Sequence, residues 1–292
     1  MIRFYKMHGI GNDYVYIDCF NETVHDPSAL AVAVSDRHFG VGSDGLILIR
    51  PSDVADCFMD MYNADGSRGR MCGNGIRCVA RYLYDQGMVE SPSVTIETLS
   101  GIRHLKLNFD GGCLRDITVD MGVPVLSPAD IPALWGSEDP LVSVPVQAGP
   151  HAVELTAVSM GNPHAVLFVG SVEDADVEGV GRAVESHPMF PEKVNVEFVE
   201  ILDRGTVRMR VWERGSGETM ACGTGACASV VAGVLGGRLD REVLVHLRGG
   251  DLTVRWDAGT GTVHMTGPAV QTFFGYLNEE IFGHPTALCD KI

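Results

Sequence analysis

The sequence predicts an α+β protein of two pseudo-symmetric, mainly β halves, each wrapped around one central apolar helix. Three observations predict it. The segments Met71-Cys72-Gly73-Asn74-Gly75 and Ala221-Cys222-Gly223-Thr224-Gly225 both place a cysteine before Gly-x-Gly at the start of a helical pattern, and the cysteines lie 222 − 72 = 150 residues apart. The same offset, without a gap, carries Gly11-Asn12 onto Gly161-Asn162, Asn63 onto Glu213, and Gly45 onto Asn195, each of the last two opening an apolar run. Self-similarity at a fixed period is the mark of a repeated architecture. Outside the two helices most of the chain reads as short β-branched runs divided by turn residues.

In chain order, strands are expected at 3–8, 14–18, 46–50, 57–62, 93–98, 102–109 and 114–121, the last two joined by an Asp110-Gly111-Gly112 hairpin turn. Asp26-Pro27, a cap with proline at the first helical position, starts a helix that runs to about Arg37. The next helix begins after Cys72. Its apolar Ile76, Val79, Ala80, Leu83 and Tyr84 keep helical spacing, and Gly87 stops it. Residues 122–140 carry Pro124, Pro128, Pro132 and Pro140 and read as a linker. Strands follow at 142–146, 152–160, 165–169, 194–200 and 206–212, then a helix from Gly223 burying Cys227, Val230, Val231, Val234 and Leu235, then strands at 242–247, 252–256 and 262–266. Residues 1–122, joined by the C-terminal segment 275–292, are expected to form one half and residues 123–274 the other, with the active site in the cleft between them.

Composition narrows the class. A hydrophobic content of 45% with 21% charged residues suits a folded globular chain. The longest apolar stretches fall far short of the ~20 residues a membrane-spanning helix needs. The N-terminus runs straight into strand-like sequence without a signal-peptide pattern, so a cytoplasmic protein is expected, with no membrane partner. A net charge of −16 repels phosphate backbones, so no nucleic acid is expected either. Eight cysteines in a reducing compartment are not a disulfide framework. Cys19, Cys57, Cys113 and Cys289 read as small buried hydrophobes. A zinc site from Cys72, Cys78, Cys222 and Cys227 is disfavoured, because the spacings are C-x5-C and C-x4-C with the second cysteine inside a helix. No Cys-x-x-Cys redox motif is present.

The first amides of a helix lack internal partners and share the positive end of its dipole, so a thiolate or a carboxylate is stabilised there. A thiol pKa of about 8.5 is expected to fall to roughly 3.5–7.5 in such a setting. Gly73, Gly75, Gly223 and Gly225 are expected to let a ligand approach these amides. Two such helix ends converging on one amino-acid carboxylate would set a thiol on each side of its α-carbon. One thiolate would then remove the proton and the opposite thiol would return one, inverting the centre, while the amides stabilise the enediolate charge.

The chain resembles the diaminopimelate epimerase family over nearly its whole length. The resemblance rests on Met7-His8-Gly9-Ile10-Gly11-Asn12-Asp13, Gly40 to Gly45, Asn63 to Ser67, the two cysteine segments, Ser159-Met160-Gly161-Asn162-Pro163-His164, Val194-Asn195-Val196 and Glu213 to Thr219. It implies cofactor-independent, metal-free interconversion of LL- and meso-diaminopimelate, feeding lysine and peptidoglycan synthesis, by an enzyme that is a homodimer. Cys72 and Cys222 would be the acid/base pair. The amides of Gly73, Asn74, Gly223 and Thr224 would hold the reacting carboxylate, and Asn63, Asn162, Asn195 and Arg214 would read the distal head. Asn12 and Glu213 would face the reacting ammonium, and His164 and Glu213 would tune the thiols. Where some members carry glutamine this chain has Gly45. A proline or hydroxyproline racemase would typically show His at position 74 and Ser-Pro where Met220-Ala221 stands. A non-catalytic amino-acid-binding protein of the same fold would be expected to have lost one cysteine.

Overall fold

The computed structural model describes residues 1–278, which divide into two units: Met1–Thr118 with the chain from Pro268 onward, and Val119–Gly267. Cys289 and positions 279–292 of the expected C-terminal segment lie outside the described residues.

In the first unit β1 (Ile2–Gly9) and β2 (Asn12–Asp18) form an antiparallel hairpin. Its two-residue turn holds both Ile10 (φ 50°) and Gly11 (φ 84°) left-handed, a strained setting for the β-branched Ile10, two positions before Asn12. β2 then runs parallel to β3 (Gly45–Arg50), and α1 (Pro27–Ser35) fills that crossover. β3 pairs antiparallel with β4 (Cys57–Asn63), which carries the two-residue β5 (Arg68–Gly69). The second crossover holds α2 (Gly73–Asp85) and leads to β6 (Ser93–Thr98), parallel to β4. β7 (Gly101–Asp110) turns back on β6, and Asn108 reaches Asp116 and Thr118 on the following β8 (Cys113–Gly122).

The second unit repeats this order. β9 (Val144–Ala148) flanks β10 (His151–Ser159), which pairs antiparallel with β11 (Pro163–Val169). α3 (Val177–Glu185) crosses to β12 (Asn195–Asp203), parallel to β11, and β13 (Thr206–Glu213) carries the short β14 (Gly217–Glu218). α4 (Gly223–Leu235) leads to β15 (Glu242–Leu247), parallel to β13, followed by β16 (Gly250–Trp256) and β17 (Val263–Gly267). Finally β18 (Val270–Leu277) pairs with β1, as β9 pairs with β10. This pairing takes the chain back into the first unit at Pro268, a few residues before the expected 274/275, and the first division falls inside β8 at 118/119 rather than at 122/123.

The central strands β2, β3, β11 and β12 are buried on both faces for most of their length, which is why they read as near-continuous apolar runs, whereas β6, β7, β8 and β15 to β17 alternate buried and more exposed residues. Val15, Ile17, Leu46 and Leu48 face α1, whose Leu30, Ala31 and Val34 complete that core. The alternate residue Ile47 of β3 lies against Gly75 of α2. In the second unit Val196 and Phe198 share a core with Val177 and Val184 of α3, and alternate residues of β12 face α4. α3 was not expected from the sequence, although it lies 150 residues beyond α1 at both ends and Asp176 caps it through Gly179 N (2.9 Å) as Asp26 caps α1 through Ala29 N (3.0 Å). β18 and the two-residue strands β5 and β14 were also unforeseen.

Among the other cysteines, Cys57 is buried and Cys19 half-buried, but Cys113 is exposed, correcting the expectation of a buried hydrophobe; it opens β8 just after the hairpin turn. Burial pushes the thiols of Cys57 up to about 12 and of Cys19 and Cys78 up to about 11, which leaves them unreactive at neutral pH.

Candidate active site

Cys72 and Cys222 occupy the same backbone position in their units. Each is the N-cap of its 13-residue helix with extended φ/ψ, and each Sγ accepts the N–H three residues on, Gly75 N at 3.3 Å and Gly225 N at 3.4 Å. A thiol thus takes the place usually held by a Ser or Asp cap. The amides of Gly73, Asn74, Gly223 and Thr224 come before the first internal helix bond, as an anion site requires.

Gly75 and Gly225 have a different role from the one expected. A Cβ at Gly75 would lie 2.7 Å from Cδ1 of Ile47, and one at Gly225 would lie 2.6 Å from Oε1 of Glu197. These glycines let the helix pack closely on its own sheet rather than admit a ligand.

Around Cys72, the thiol donates to Oδ1 of Asn12 (3.3 Å), whose Nδ2 donates to Asp44 Oδ2 (2.8 Å). The same Asp44 oxygen accepts the Asp13 N–H (3.0 Å), and Arg37 Nη2 donates to both Asp13 and Asp44 at 2.9 Å. Lys6 donates to Asp13 and to the carbonyl of Gly42. Burial pushes Asp13 up, but the bonds from Lys6 and Arg37 outweigh it and hold that carboxyl low; burial prevails at Asp44, which is raised. Tyr14 faces the thiol, and burial, with the charges on Cys72 and Asp44, pushes its phenol well up. Asn74 is buried with its Oδ1 accepting from Arg77 (3.0 Å), so its backbone amide and not its side chain is left for a ligand. Asn63 is exposed and bonded to Ser67 (2.9 Å). It stands opposite Gly45, where a Cβ would meet the Tyr62 carbonyl oxygen at 2.2 Å and Tyr14 Cε1 at 2.8 Å. No longer side chain fits there, and Tyr14 occupies the neighbourhood instead.

Around Cys222 the neighbours are charged. His164 is buried, its Nδ1 2.7 Å from Glu197 Oε1 and its Nε2 3.1 Å from Asn162 Oδ1. Thr219 donates to Glu213, and Thr224 Oγ1 lies 3.5 Å from the Cys222 sulfur. Burial and then Glu197 raise the Glu213 carboxyl, against the Thr219 bond. The Cys222 thiol is 6% exposed, and burial, with Glu213 and Glu197 adding to it, pushes it well above its ordinary value. This overturns the expectation of a thiol lowered by its helix: two nearby carboxylates and burial outweigh the dipole, which falls off within one turn. Asn195 uses both ends of its amide internally, donating to Pro163 O (3.2 Å) and accepting Arg214 N (2.9 Å), while Arg214 Nη1 reaches Glu192 O (2.8 Å). Asn195 therefore holds the Arg214 backbone in place.

Each unit thus gathers its own share of the expected residues: Asn12, Gly73 and Asn74 by Cys72, and Asn162, His164, Glu213, Gly223 and Thr224 by Cys222. Sequence reasoning missed Tyr14, Asp44 and Glu197. The signal for Glu197 was legible, a lone carboxylate in the run Val196–Val199.

The sequence model of the diaminopimelate epimerase family matches residues 4–127 and 156–272. A diaminopimelate epimerase of Acetivibrio thermocellus is 52% identical over 274 residues, covering 94% of this chain and 98% of that relative. One from Methanococcus maripaludis is 48% identical over 277 residues, 95% and 100% of the two chains. A solved structure of a probable proline racemase from Agrobacterium radiobacter K84 shares the fold, with a TM-score of 0.70 at 17% identity over 95% of this chain and 93% of that one. On this match of sequence, fold and paired cysteine caps, the chain belongs to the diaminopimelate epimerase family.

Proposed function

We propose that this chain interconverts LL- and meso-diaminopimelate, with Cys72 and Cys222 as the two acid/base groups. The observation that carries the reading is that both thiols stand as caps of equivalent helices in a chain about half identical, along nearly its whole length, to named diaminopimelate epimerases. One thiolate takes the α-proton, the enediolate charge falls on the carboxylate held by helix amides, and the other thiol delivers a proton from the opposite face. In this reading the chemistry needs neither metal nor cofactor, and the enzyme serves lysine and peptidoglycan precursor synthesis in the cytoplasm. Arg214 is suited to a second carboxylate, which proline lacks. A homodimer is part of the same reading, and the exposed Phe274 and Tyr276, which share one face of β18, offer it an apolar patch.

The test is incubation with LL-diaminopimelate in heavy water, with proline and hydroxyproline as controls. Deuterium at the α-carbon of meso product is the expected result. Turnover of proline alone would favour the racemase alternative, and exchange of none of them would favour a binding protein.

A further inference from the structure

The two thiol sites differ at one position behind each helix. Glu197 lies in register between Val166 and Val211, and the residue 150 positions earlier, Ile47, lies between Tyr16 and Met61. Both press on the third residue after the cysteine, Gly225 and Gly75. Where the first unit backs its helix with an isoleucine, the second buries a fully enclosed carboxylate. One of its oxygens faces His164 Nδ1; the other, Oε2, is buried without a hydrogen-bond partner. An uncompensated buried carboxylate oxygen is costly, and a packing role alone would be served by the isoleucine used in the other unit.

We propose that Glu197 is a positioning residue for the Cys222 site: it fixes His164 with the proton on Nδ1, orients Nε2 toward Asn162, and places a buried negative charge behind the thiol. The groups on this face are Glu197 from β12, His164 from β11, Glu213 from β13, and Thr224 beside Cys222 on α4. On β15, β16 and β17 the ionisable residues Glu242, His246, Asp251, Arg255 and His264 alternate with buried apolar residues and so face the other way, and Glu154 of β10 is exposed. The raised Cys222 thiol agrees with this arrangement. The duplicated sites are therefore chemically unequal: a buried carboxylate stands behind the helix that Cys222 caps, where an isoleucine stands behind the helix that Cys72 caps.

The inference rests on the acid/base role proposed for Cys222, but two of its readouts do not depend on the substrate. In Glu197→Gln, peptide-resolved alkylation by iodoacetamide should show the Cys222 rate at pH 7 rising about tenfold, the effect of one unit in thiol pKa, with Cys72 unchanged as the internal control. The ring-nitrogen spectrum of His164 should lose its fixed Nδ1–H tautomer in Glu197→Ile, which copies the first unit; Glu197→Gln carries the test should that variant not fold. With diaminopimelate, Glu197→Gln should lose kcat about tenfold while KM moves less than about threefold. An unchanged Cys222 pH profile and an unchanged His164 tautomer would overturn the proposal. If the wild type turns over no diaminopimelate, the substrate reading fails while alkylation and tautomer still decide on Glu197.

Discussion

Cys72 and Cys222 share a backbone setting and differ in what stands around it. Asn12, Asp44 and Tyr14 surround the first, and His164, Glu197 and Glu213 the second. The carboxylates near Cys222 burden the fold. A raised pKa means that native protein keeps a proton the unfolded chain has released. The stability from Glu213 is thus full below the ordinary range of about pH 4.3 and is lost as pH rises through its raised value. Glu213→Gln can still accept the bond from Thr219 and carries no charge at any pH. It should therefore melt higher than the wild type at neutral pH, with the gain vanishing below about pH 4 in a series of thermal melts. A gain that does not change with pH would contradict this origin. The same substitution should abolish turnover, a stability cost tied to function. Position by position, the placement of Asn12, Glu213 and both cysteines together at the two helix caps was legible because offset and flanking motifs coincide. Asp44 and Tyr14 were not, because what qualifies them is contact across strands 30 or more residues apart in sequence.

Among the elements, the duplication is kept to the residue in α1 and α3 and in α2 and α4, each pair offset by 150 at both ends. It also survives with its charges exchanged. Asp60 of β4 accepts from Arg68 of β5 at 2.7 Å, and 150 residues on, Arg210 of β13 donates to Glu218 of β14 at 2.7 Å. The pairing that pins the short strand before each cysteine is conserved in place and reversed in sign. The helices are held to their sheets at Gly75 and Gly225, and these should not be equally replaceable. Gly225→Ala drives a methyl into a carboxylate fixed by His164 and should cost about 1–3 kcal/mol. Gly75→Ala meets the free ends of Ile47 and, less closely, Met59, and alanine recovers about 0.5–1 kcal/mol of helix propensity. Denaturant unfolding of both variants checks the order; an equal or greater cost at Gly75 would contradict it. α3 escaped notice because its Gly179 and Gly181 lower helix propensity, and only the offset or the Asp176 cap reveals it. Gly181 is required by packing, since a Cβ there would meet Trp212 at 2.6 Å.

For the molecule as a whole, fold class was legible because the repeat is written in polar landmarks that chemistry keeps in place, while the return of β18 to β1 depends on a pairing between the two ends of the described chain. No helix among the described residues is long and apolar enough to cross a membrane. Two copies of one thiol-capped helix are what distinguish this chain from a single-thiol enzyme, and the central claim is that both copies work. The direct measurement is hydrogen exchange and epimerisation of LL- and meso-diaminopimelate in heavy water by Cys72→Ala and Cys222→Ala, each shown by circular dichroism to be folded. Loss of epimerisation by at least about 10²-fold in both variants is the predicted result; turnover preserved in either one contradicts it.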